Sequence, residues 1–208
     1  MIHPYPVVHV VDDDAGVRDS LDLLLRLRGY RVRTFASGGE LLSHIDPGAH
    51  GCIVLDLRMP ERDGLAVQSE LRARGIDLPI IVLTAHGDAA SARAALKGGA
   101  FDFLEKPAAD AVLAATIEAA LTRDRTARER TLRRAEVQAR LARLTARERE
   151  VFDAVVAGRQ NREIAAALGI SPRTVEAHKA KLLDKLQVDR LAELIRLALE
   201  AAADDAGA

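Results

Sequence analysis

Four short apolar runs in the first half of the chain each end at a polar or charged residue. They are Val7–Val11 before Asp12, Cys52–Leu55 before Asp56, Ile80–Leu83 before Thr84, and Phe101–Leu104 just before Lys106. Short runs rich in β-branched residues are typical of buried parallel strands. The carboxyl ends of such strands lie at one edge of a sheet, where α/β proteins bind ligands. The pattern therefore predicts one pocket that gathers carboxylates, a hydroxyl and an ammonium, a combination suited to phosphate and a divalent cation.

The same half of the chain alternates strand patterns with helical ones. A fifth strand pattern lies at 31–36, and the stretches between the runs carry apolar residues at helical spacing, such as Leu21, Leu24 and Leu25. Five strands with helices between them predict a flavodoxin-like (βα)5 sandwich around a parallel five-stranded sheet.

From Ala108 onward the pattern is helical. One long helix leaves the first domain and becomes a charged, exposed linker over 123–143, whose arginines face either solvent or a DNA backbone. Four shorter helical patterns follow over 144–208. We therefore predict an α/β domain over 1–122, a helical linker and an all-α domain.

Helix caps indicate a helix-turn-helix in the all-α part. Thr145 and Glu148 have capping-box spacing, and Asn161 is a candidate cap for the next helix. A turn at Gly169 precedes a further helix that begins at Ser171-Pro172. Two helices joined by a glycine-containing turn are the helix-turn-helix pattern.

Charge divides the chain at about the same place. Residues 1–121 carry 12 lysines and arginines against 17 acids, whereas residues 122–208 carry 18 against 14. A basic module joined to an acidic one favours nucleic-acid contact in the basic part. The single cysteine, Cys52, excludes an internal disulfide and a cysteine-cluster metal site. Because the sequence lacks a membrane-span pattern and a signal-peptide pattern, we expect a soluble, cytoplasmic protein with no membrane partner.

The predicted pocket concentrates negative charge. Asp12, Asp13 and Asp56 would repel one another at a sheet edge, so their ionised form needs a hard cation. Mg²⁺ is commonly bound by one or two carboxylates together with water and phosphate. Such a metal would offset the charge of a phosphoryl group while a carboxylate attacks phosphorus to form an aspartyl-phosphate. Lys106 would supply a second cation and Thr84 a hydroxyl donor.

These residues resemble the receiver domain of two-component response regulators. The matching motifs are Val11-Asp12-Asp13-Asp14, Leu55-Asp56-Leu57-Arg58-Met59-Pro60, Val82-Leu83-Thr84-Ala85 and Phe103-Leu104-Glu105-Lys106-Pro107. Thr84 follows Asp56 by 28 residues and Lys106 follows it by 50, as the resemblance requires. The likeness covers about residues 6–122.

The resemblance implies roles for the pocket residues. Asp56 becomes the phospho-acceptor. Asp12 and Asp13 become the acid pair that binds Mg²⁺ or Mn²⁺, and the backbone carbonyl of Arg58 becomes a further ligand. A sensor histidine kinase is the implied phosphoryl donor. The implied chemistry is self-phosphorylation and slow self-dephosphorylation, so the protein is not expected to be an enzyme.

Three further positions form the implied switch. Thr84 follows the phosphoryl group, Lys106 is its ion-pair partner, and Phe103 stands where the family has a rotating aromatic, although an aromatic on a strand is as often plain core. A phosphoryl group adds about −1.5 to −2 charges. Movement toward it would rearrange the face formed by the helix at 88–97, the strand at 100–104 and the helix from 108, through which such receivers usually pair.

The basic part resembles LuxR-type helix-turn-helix domains over residues 144 to about 200. Its motifs include Leu144-Thr145-Ala146-Arg147-Glu148, Asn161-Arg162-Glu163-Ile164-Ala165 and Ser171-Pro172-Arg173-Thr174-Val175-Glu176. Together the two halves resemble transcriptional response regulators of the FixJ/NarL type. This resemblance implies double-stranded promoter DNA and RNA polymerase as partners, and a homodimer on activation.

Helical geometry sorts the helix after Ser171 into two faces. At about 100° per residue, Val175, Leu182 and Leu186 share the inward face. The outward candidates for base, groove or phosphate contact are Arg173, Glu176, Ala177, Ala180 and Lys181. Glu176 could accept from cytosine and Ala177 could touch a thymine methyl, whereas the two basic residues suit phosphates. Relatives often carry a long basic residue where this chain has Ala180.

Other residues of this helix are candidates for the DNA backbone and flanks. They are Thr174, His178, Lys179 and Lys185, with internal packing as the alternative for His178.

The last helical pattern, at 190–200, offers a surface for a symmetric dimer on DNA half-sites about one helical turn apart. Its predicted members are Leu191, Leu194, Ile195 and Ala198, for which packing within the domain is the competing interpretation.

Two other functions are compatible with parts of the pattern. Phosphatases also use an aspartate nucleophile at a strand end, but they need a second acid two residues later as general acid, where this chain has Arg58. Alternatively, the helix-turn-helix could bind protein rather than DNA, which salt-sensitive duplex binding would distinguish.

Overall fold

Five parallel strands form one sheet in the order β2-β1-β3-β4-β5. They are β1 Val7–Val11, β2 Arg31–Phe35, β3 Gly51–Leu55, β4 Ile80–Thr84 and β5 Asp102–Glu105. The computed structural model describes residues 5–60, 62–85 and 87–202. The chain divides into two compact units, Met1–Arg128 and Glu129–Ala208, and the sheet lies in the first.

A helix follows every strand of the sheet. The helices are α1 Ala15–Leu27, α2 Gly38–His44, α3 Gly64–Ala73, α4 Ala89–Lys97 and α5 Asp110–Leu141. Alternate strand residues face opposite sides, so Val8 packs with Leu25 of α1 and Ile117 of α5, whereas Val11 packs with residues of α2 and α3. The predicted flavodoxin-like sandwich is confirmed.

Cys52 is completely buried among apolar side chains of β3 and its neighbours. Burial, and then the nearby charge of Asp124, raise the pKa of its thiol to about 12. The thiol therefore stays protonated and packs as a small apolar group.

The second unit packs four helices around its own apolar core. They are α6 Ala146–Val156, α7 Asn161–Leu168, α8 Pro172–Leu186 and α9 Leu191–Ala202. The core includes Phe152, Ile164, Val175 and Leu194, which contribute one residue from each helix. Among the helices that the structure describes, none is long and apolar enough to span a membrane.

Most of the predicted caps of these helices are confirmed. Thr145 and Glu148 form a capping box, and the Ser171 side chain accepts from the Thr174 N–H. The prediction for α7 is wrong by one residue, because its N-cap is the residue before Asn161. Gly169 ends α7 with a φ of 64°, a left-handed conformation that glycine adopts without a Cβ penalty.

The long helix α5 differs from the predicted linker over 123–143 at both ends. Asp124 is buried and accepts from the Gly51 N–H at 3.0 Å. Val137 and Leu141 are buried in the core of the second unit, whereas Leu132 between them and Asp124 is 71% exposed. The predicted linker is therefore exposed near its middle, at Leu132, whereas both of its ends contain buried residues.

His9, in the middle of β1, gives the first unit a pH-dependent stability. It is 5% exposed, and neither ring nitrogen has a hydrogen-bond partner within the described residues. Burial, and then the charge of Arg33, lower its pKa from 6.5 to about 4. Between these pH values the unfolded chain binds a proton that the folded chain does not bind, so stability falls as pH drops through this window.

We expect His9→Leu to remove on the order of 2–3 kcal/mol of that acid-dependent loss of stability. Urea denaturation near neutrality and near the folded-state pKa measures it. His44→Gln is the control, because the rings of His9 and His44 both lie beside Phe35, but that of His44 is exposed. An unchanged pH dependence in His9→Leu would contradict the assignment.

Candidate functional site

Three carboxylates meet at the carboxyl edge of the sheet. β1 and β3 are neighbours, with Val11 opposite Leu55, so the residues that follow these strands are adjacent. Oxygen atoms of Asp12, Asp13 and Asp56 all lie within 4.8 Å of one another. Asp12 and Asp56 are buried, at 2% and 8% exposure, whereas Asp13 is exposed. The structure thus brings together the three predicted acids.

Lys106 joins this cluster from the loop after β5. Its ammonium donates to Oδ2 of Asp12 at 2.5 Å and to Oδ2 of Asp56 at 2.9 Å. Burial by itself would lower the pKa of Lys106, but the hydrogen bonds to the two carboxylates outweigh it and raise the pKa. The lysine is therefore held charged beside the acids.

Thr84 and Phe103 lie on the two strands next to the cluster. Thr84 ends β4, is completely buried, and its carbonyl accepts from the Lys106 N–H at 2.8 Å. Phe103, on β5, lies opposite Val82 of β4. It is partly buried and packs against the core between the sheet and helices α2, α3 and α4. Thr84 is thus at the site, and Phe103 contacts the core behind it.

Arg58 and Asp14 border the cluster in different ways. The Arg58 N–H donates to Oδ1 of Asp56 at 3.3 Å, and its exposed side chain lines a cavity of about 500 Å³ together with Asp13 and Ser91. Asp14 accepts from the N–H groups that begin α1, so it is a helix cap, as predicted. Its carboxylate is not a member of the acid cluster.

The donor set at this edge suits a hard cation. Three carboxylates supply only oxygen ligands, and the Lys106 ammonium is hydrogen-bonded to two of them. Clustered carboxylates disfavour one another's ionised forms, and Mg²⁺ prefers a small number of carboxylates with room for water and phosphate. The residues present therefore fit a magnesium ion.

One residue that supports the site was missed by the sequence reasoning. The guanidinium of Arg18, on α1, donates from one nitrogen to the carbonyl oxygens of Asp12 at 2.7 Å and Asp13 at 2.9 Å. Its place one helical turn after Asp14 is the signal that could have identified it, because that position faces the start of the helix.

In the second unit, α8 presents the predicted polar face. Val175, Leu182 and Leu186 are completely buried. The five outward candidates are all exposed, namely Arg173, Glu176, Ala177, Ala180 and Lys181. Thr174 is half-buried and hydrogen-bonded to the Ser171 hydroxyl at the start of the helix.

Two of the predicted flanking lysines are engaged within the domain. Lys179 donates to Oδ1 of Asn161 at 2.7 Å, which ties α8 to the start of α7. Lys185 donates to the buried Glu148 at 2.6 Å. This hydrogen bond, and then that from the Thr145 N–H, lower the pKa of Glu148 to about 2. The Lys185 ammonium therefore holds α8 against α6, and its contact with DNA remains a prediction.

His178 packs rather than projects. It is half-buried, and within the described residues its Nδ1 atom is buried without a hydrogen-bond partner. The packing alternative for this residue therefore describes its position.

The predicted dimer surface on α9 needs correction. Leu194 is 1% exposed and Ala198 is 8% exposed, and both belong to the core of the second unit. Their helical spacing is compatible with core packing as well as with pairing of two copies, and in the structure both side chains lie in the core. Leu191 and Leu199 are exposed and Ile195 is half-buried, so these three form the remaining apolar stripe.

Comparison with known proteins matches both units. Residues 8–118 match the family model "Response regulator receiver domain", and residues 142–198 match "Bacterial regulatory proteins, luxR family". The transcriptional regulatory protein FixJ of Azorhizobium caulinodans is 46% identical over 202 residues, which cover 96% of each chain.

Solved structures agree. The response regulator StyR is 39% identical, with a TM-score of 0.84 over 93% of this chain and 98% of that one. Full-length FixJ from B. japonicum is also 39% identical, with a TM-score of 0.58 over 95% of this chain and 98% of that one. These relatives are transcription regulators rather than phosphatases, so the comparison does not support the phosphatase alternative.

Receiver domains of this family use Mg²⁺ at an acidic pocket, which here corresponds to the cluster of Asp12, Asp13 and Asp56. The pairing of this domain with a LuxR-type domain implies a histidine kinase and DNA as partners. The chain therefore belongs to the response regulators of the FixJ type, and it is a transcription regulator controlled by phosphorylation.

Proposed function

We propose that the Asp56 carboxylate accepts a phosphoryl group from the phosphohistidine of a sensor histidine kinase. A carboxylate oxygen forms the new P–O bond while the P–N bond of the donor breaks, and the donor imidazole leaves as a neutral ring after taking up a proton. The observation that carries this proposal is the meeting of Asp56 with Asp12, Asp13 and Lys106 at one sheet edge.

Asp12, Asp13 and Asp56, with the backbone carbonyl of Arg58, would hold Mg²⁺ or Mn²⁺ at this edge. When bound, the metal supplies positive charge that offsets the charge on the phosphoryl oxygens. Lys106 already donates to Asp56, so it is placed to donate to a phosphoryl oxygen there.

The switch follows from the charge that phosphorylation adds. The new group carries about −1.5 to −2 charges, which attract the Lys106 ammonium and the Thr84 hydroxyl. Lys106 then leaves its present contact with Asp12. Phe103 lies on β5, which pairs with the strand that ends at Thr84 and leads to Lys106, so we assign it the coupled side-chain movement.

Labelling of the full chain by acetyl phosphate tests the acceptor function. We expect stoichiometric incorporation in the presence of Mg²⁺ and none after EDTA removes the divalent metal, because the acid cluster then repels the donor. Intact mass spectrometry measures the incorporation. Equal labelling with and without EDTA would contradict a metal-assisted site.

We further propose that the exposed face of α8 reads the major groove of promoter DNA. Arg173 and Lys181 carry positive charges suited to phosphates, whereas Glu176 and Ala177 lie between them and suit base edges. Thr174, at the start of the helix, and Lys179 add backbone contacts. A DNA-binding output supports a cytoplasmic location, where promoter DNA is found.

Two substitutions on this face should separate base reading from phosphate binding. Glu176→Ala should change sequence preference, at about 1–3 kcal/mol for the affected base pair. Lys181→Ala should weaken binding to all duplexes alike and reduce the salt slope by about one. Selection from random duplexes and salt titrations measure these effects. A uniform loss for Glu176→Ala would contradict its role as a base reader.

The remaining apolar stripe of α9 supports a homodimer on DNA. Leu191 and Leu199 are 44% and 64% exposed and, with Ile195, lie on one face of the helix. Two copies paired through this stripe would present two recognition helices to neighbouring half-sites. RNA polymerase is the partner that a promoter-bound regulator would contact.

A further inference from the structure

The turn between β1 and α1 carries two of the three clustered acids, and the side chain of Arg18 bonds to the backbone of both. Nη1 of Arg18 donates to the Asp12 carbonyl at 2.7 Å and to the Asp13 carbonyl at 2.9 Å. The Arg18 N–H also donates to the Asp14 carbonyl at 3.1 Å. All three residues of the turn are therefore tied to the first turns of α1.

This contact matters most for Asp13. Lys106 bonds to the carboxylates of Asp12 and Asp56, but among the described residues it makes no such bond to Asp13, which is also exposed. Repulsion from the other two carboxylates favours rotation of Asp13 away from the cluster. The hydrogen bond from Arg18 to the Asp13 carbonyl fixes the backbone from which this side chain projects, so its carboxylate stays within reach of the other two.

Arg18 also contributes charge. Its guanidinium carries a positive charge, and the residue is half-buried. This charge by itself repels a divalent cation, so the contribution of Arg18 to metal binding comes from its hydrogen bonds to the turn. Arginine suits this place better than lysine, because the planar guanidinium is more weakly hydrated and holds its donors in a fixed geometry.

The geometry points to Arg18 as a positioning residue that holds the carboxylate of Asp13 for the divalent metal. This inference rests on the proposed function, because it concerns the metal that the acceptor site needs. Groups that orient metal ligands without touching the metal typically contribute about 10–100-fold to metal affinity. Arg18 does so here through two backbone carbonyls.

Calorimetric titration of the full chain with MgCl2 tests the inference. We expect Arg18→Met to raise the Kd for Mg²⁺ by about 10–100-fold. We expect Arg18→Lys to give a smaller increase, because an ammonium can still donate to a carbonyl but lacks the fixed donor geometry of the guanidinium. Acetyl-phosphate labelling should return to the wild-type rate at saturating Mg²⁺, so the half-saturating metal concentration changes and the maximal rate does not.

Arg26→Met is the matched control. Arg26 lies on the same helix and also donates to a carbonyl, that of Val32 at 3.0 Å, but it pairs with Asp22 away from the cluster. Its loss should leave the Kd for Mg²⁺ unchanged. If Arg18→Met does not fold, Arg18→Lys decides by the same measurement.

Three results would overturn the inference. If the wild-type chain binds Mg²⁺ and the folded Arg18 variants bind it with the same Kd, the inference is wrong. The proposed function is not affected by that result. An equal increase in Arg26→Met would show a general effect of α1 stability. Absence of Mg²⁺ binding in the wild-type chain would overturn the proposed function itself, and the inference with it.

Discussion

Asp56→Asn takes up no phosphoryl group from acetyl phosphate and gains no DNA affinity on treatment. Asparagine keeps the shape of aspartate, so the Arg58 N–H retains an acceptor at this position. It lacks the negative oxygen that attacks phosphorus, and it removes one charge from the pair that holds Lys106. We expect labelling to fall below detection, with the fold unchanged, as measured by intact mass and circular dichroism.

Asp14→Asn is the matched control. Asp14 lies at the same edge of the sheet, but its carboxylate caps α1, a place where asparagine is an equally good residue. It should label like the wild type. Labelling of Asp56→Asn at the wild-type level would contradict the assignment of the acceptor.

Leu141→Ala destabilises the second unit by about 2–5 kcal/mol, the usual cost of a cavity in a packed core. Leu141 is 3% exposed near the end of α5 and packs with Phe152 and Leu186 in one core. With the division of the chain at Glu129, this burial leads us to propose that the DNA-binding unit includes the end of α5 and begins before residue 144. Hydrogen exchange during chemical denaturation, resolved by peptide, measures the stability of each unit separately.

Leu132→Ala is the control on the same helix, because Leu132 is 71% exposed and truncation there leaves no cavity. Its stability should stay within about 0.5 kcal/mol of the wild type. Equal stability of Leu141→Ala and Leu132→Ala would place the domain boundary after α5.

The acceptor site was predictable because it depends on strand ends. Asp12 and Asp56 follow adjacent parallel strands in register, so a pattern read along the chain translates directly into neighbours in space. The same holds for Thr84 and Lys106, which follow β4 and β5. To predict where each of these residues lies, it is enough to know which strand it follows and the order of the strands in the sheet.

The errors arose where one local pattern fits two partners. Leu194 has the spacing of a pairing stripe and of a core stripe, and only the packing of α6 to α9 decides between them. Leu141 follows a run of charged residues, yet it fills a core that forms from later helices. The bond between Lys185 and Glu148 was not predicted either, because the two residues are 37 apart in the chain and helical periodicity does not encode such a contact.

The role of Arg18 was also not predictable from a local sequence pattern. Its side chain acts on backbone carbonyls, and such contacts leave no pattern in the identity of the partner residues. Only the fold of the β1 to α1 turn shows that the arginine and the acids are joined.

The central claim is that a phosphoryl group on Asp56 controls DNA binding by α8. The test uses a duplex that the full chain selects from random sequence. Fluorescence anisotropy measures its Kd for the full chain in the presence of Mg²⁺, with and without acetyl phosphate. We expect stoichiometric labelling to raise the affinity for this duplex by about 5–150-fold, the usual range of coupling between two sites. The same Kd for the labelled and unlabelled chain would contradict it.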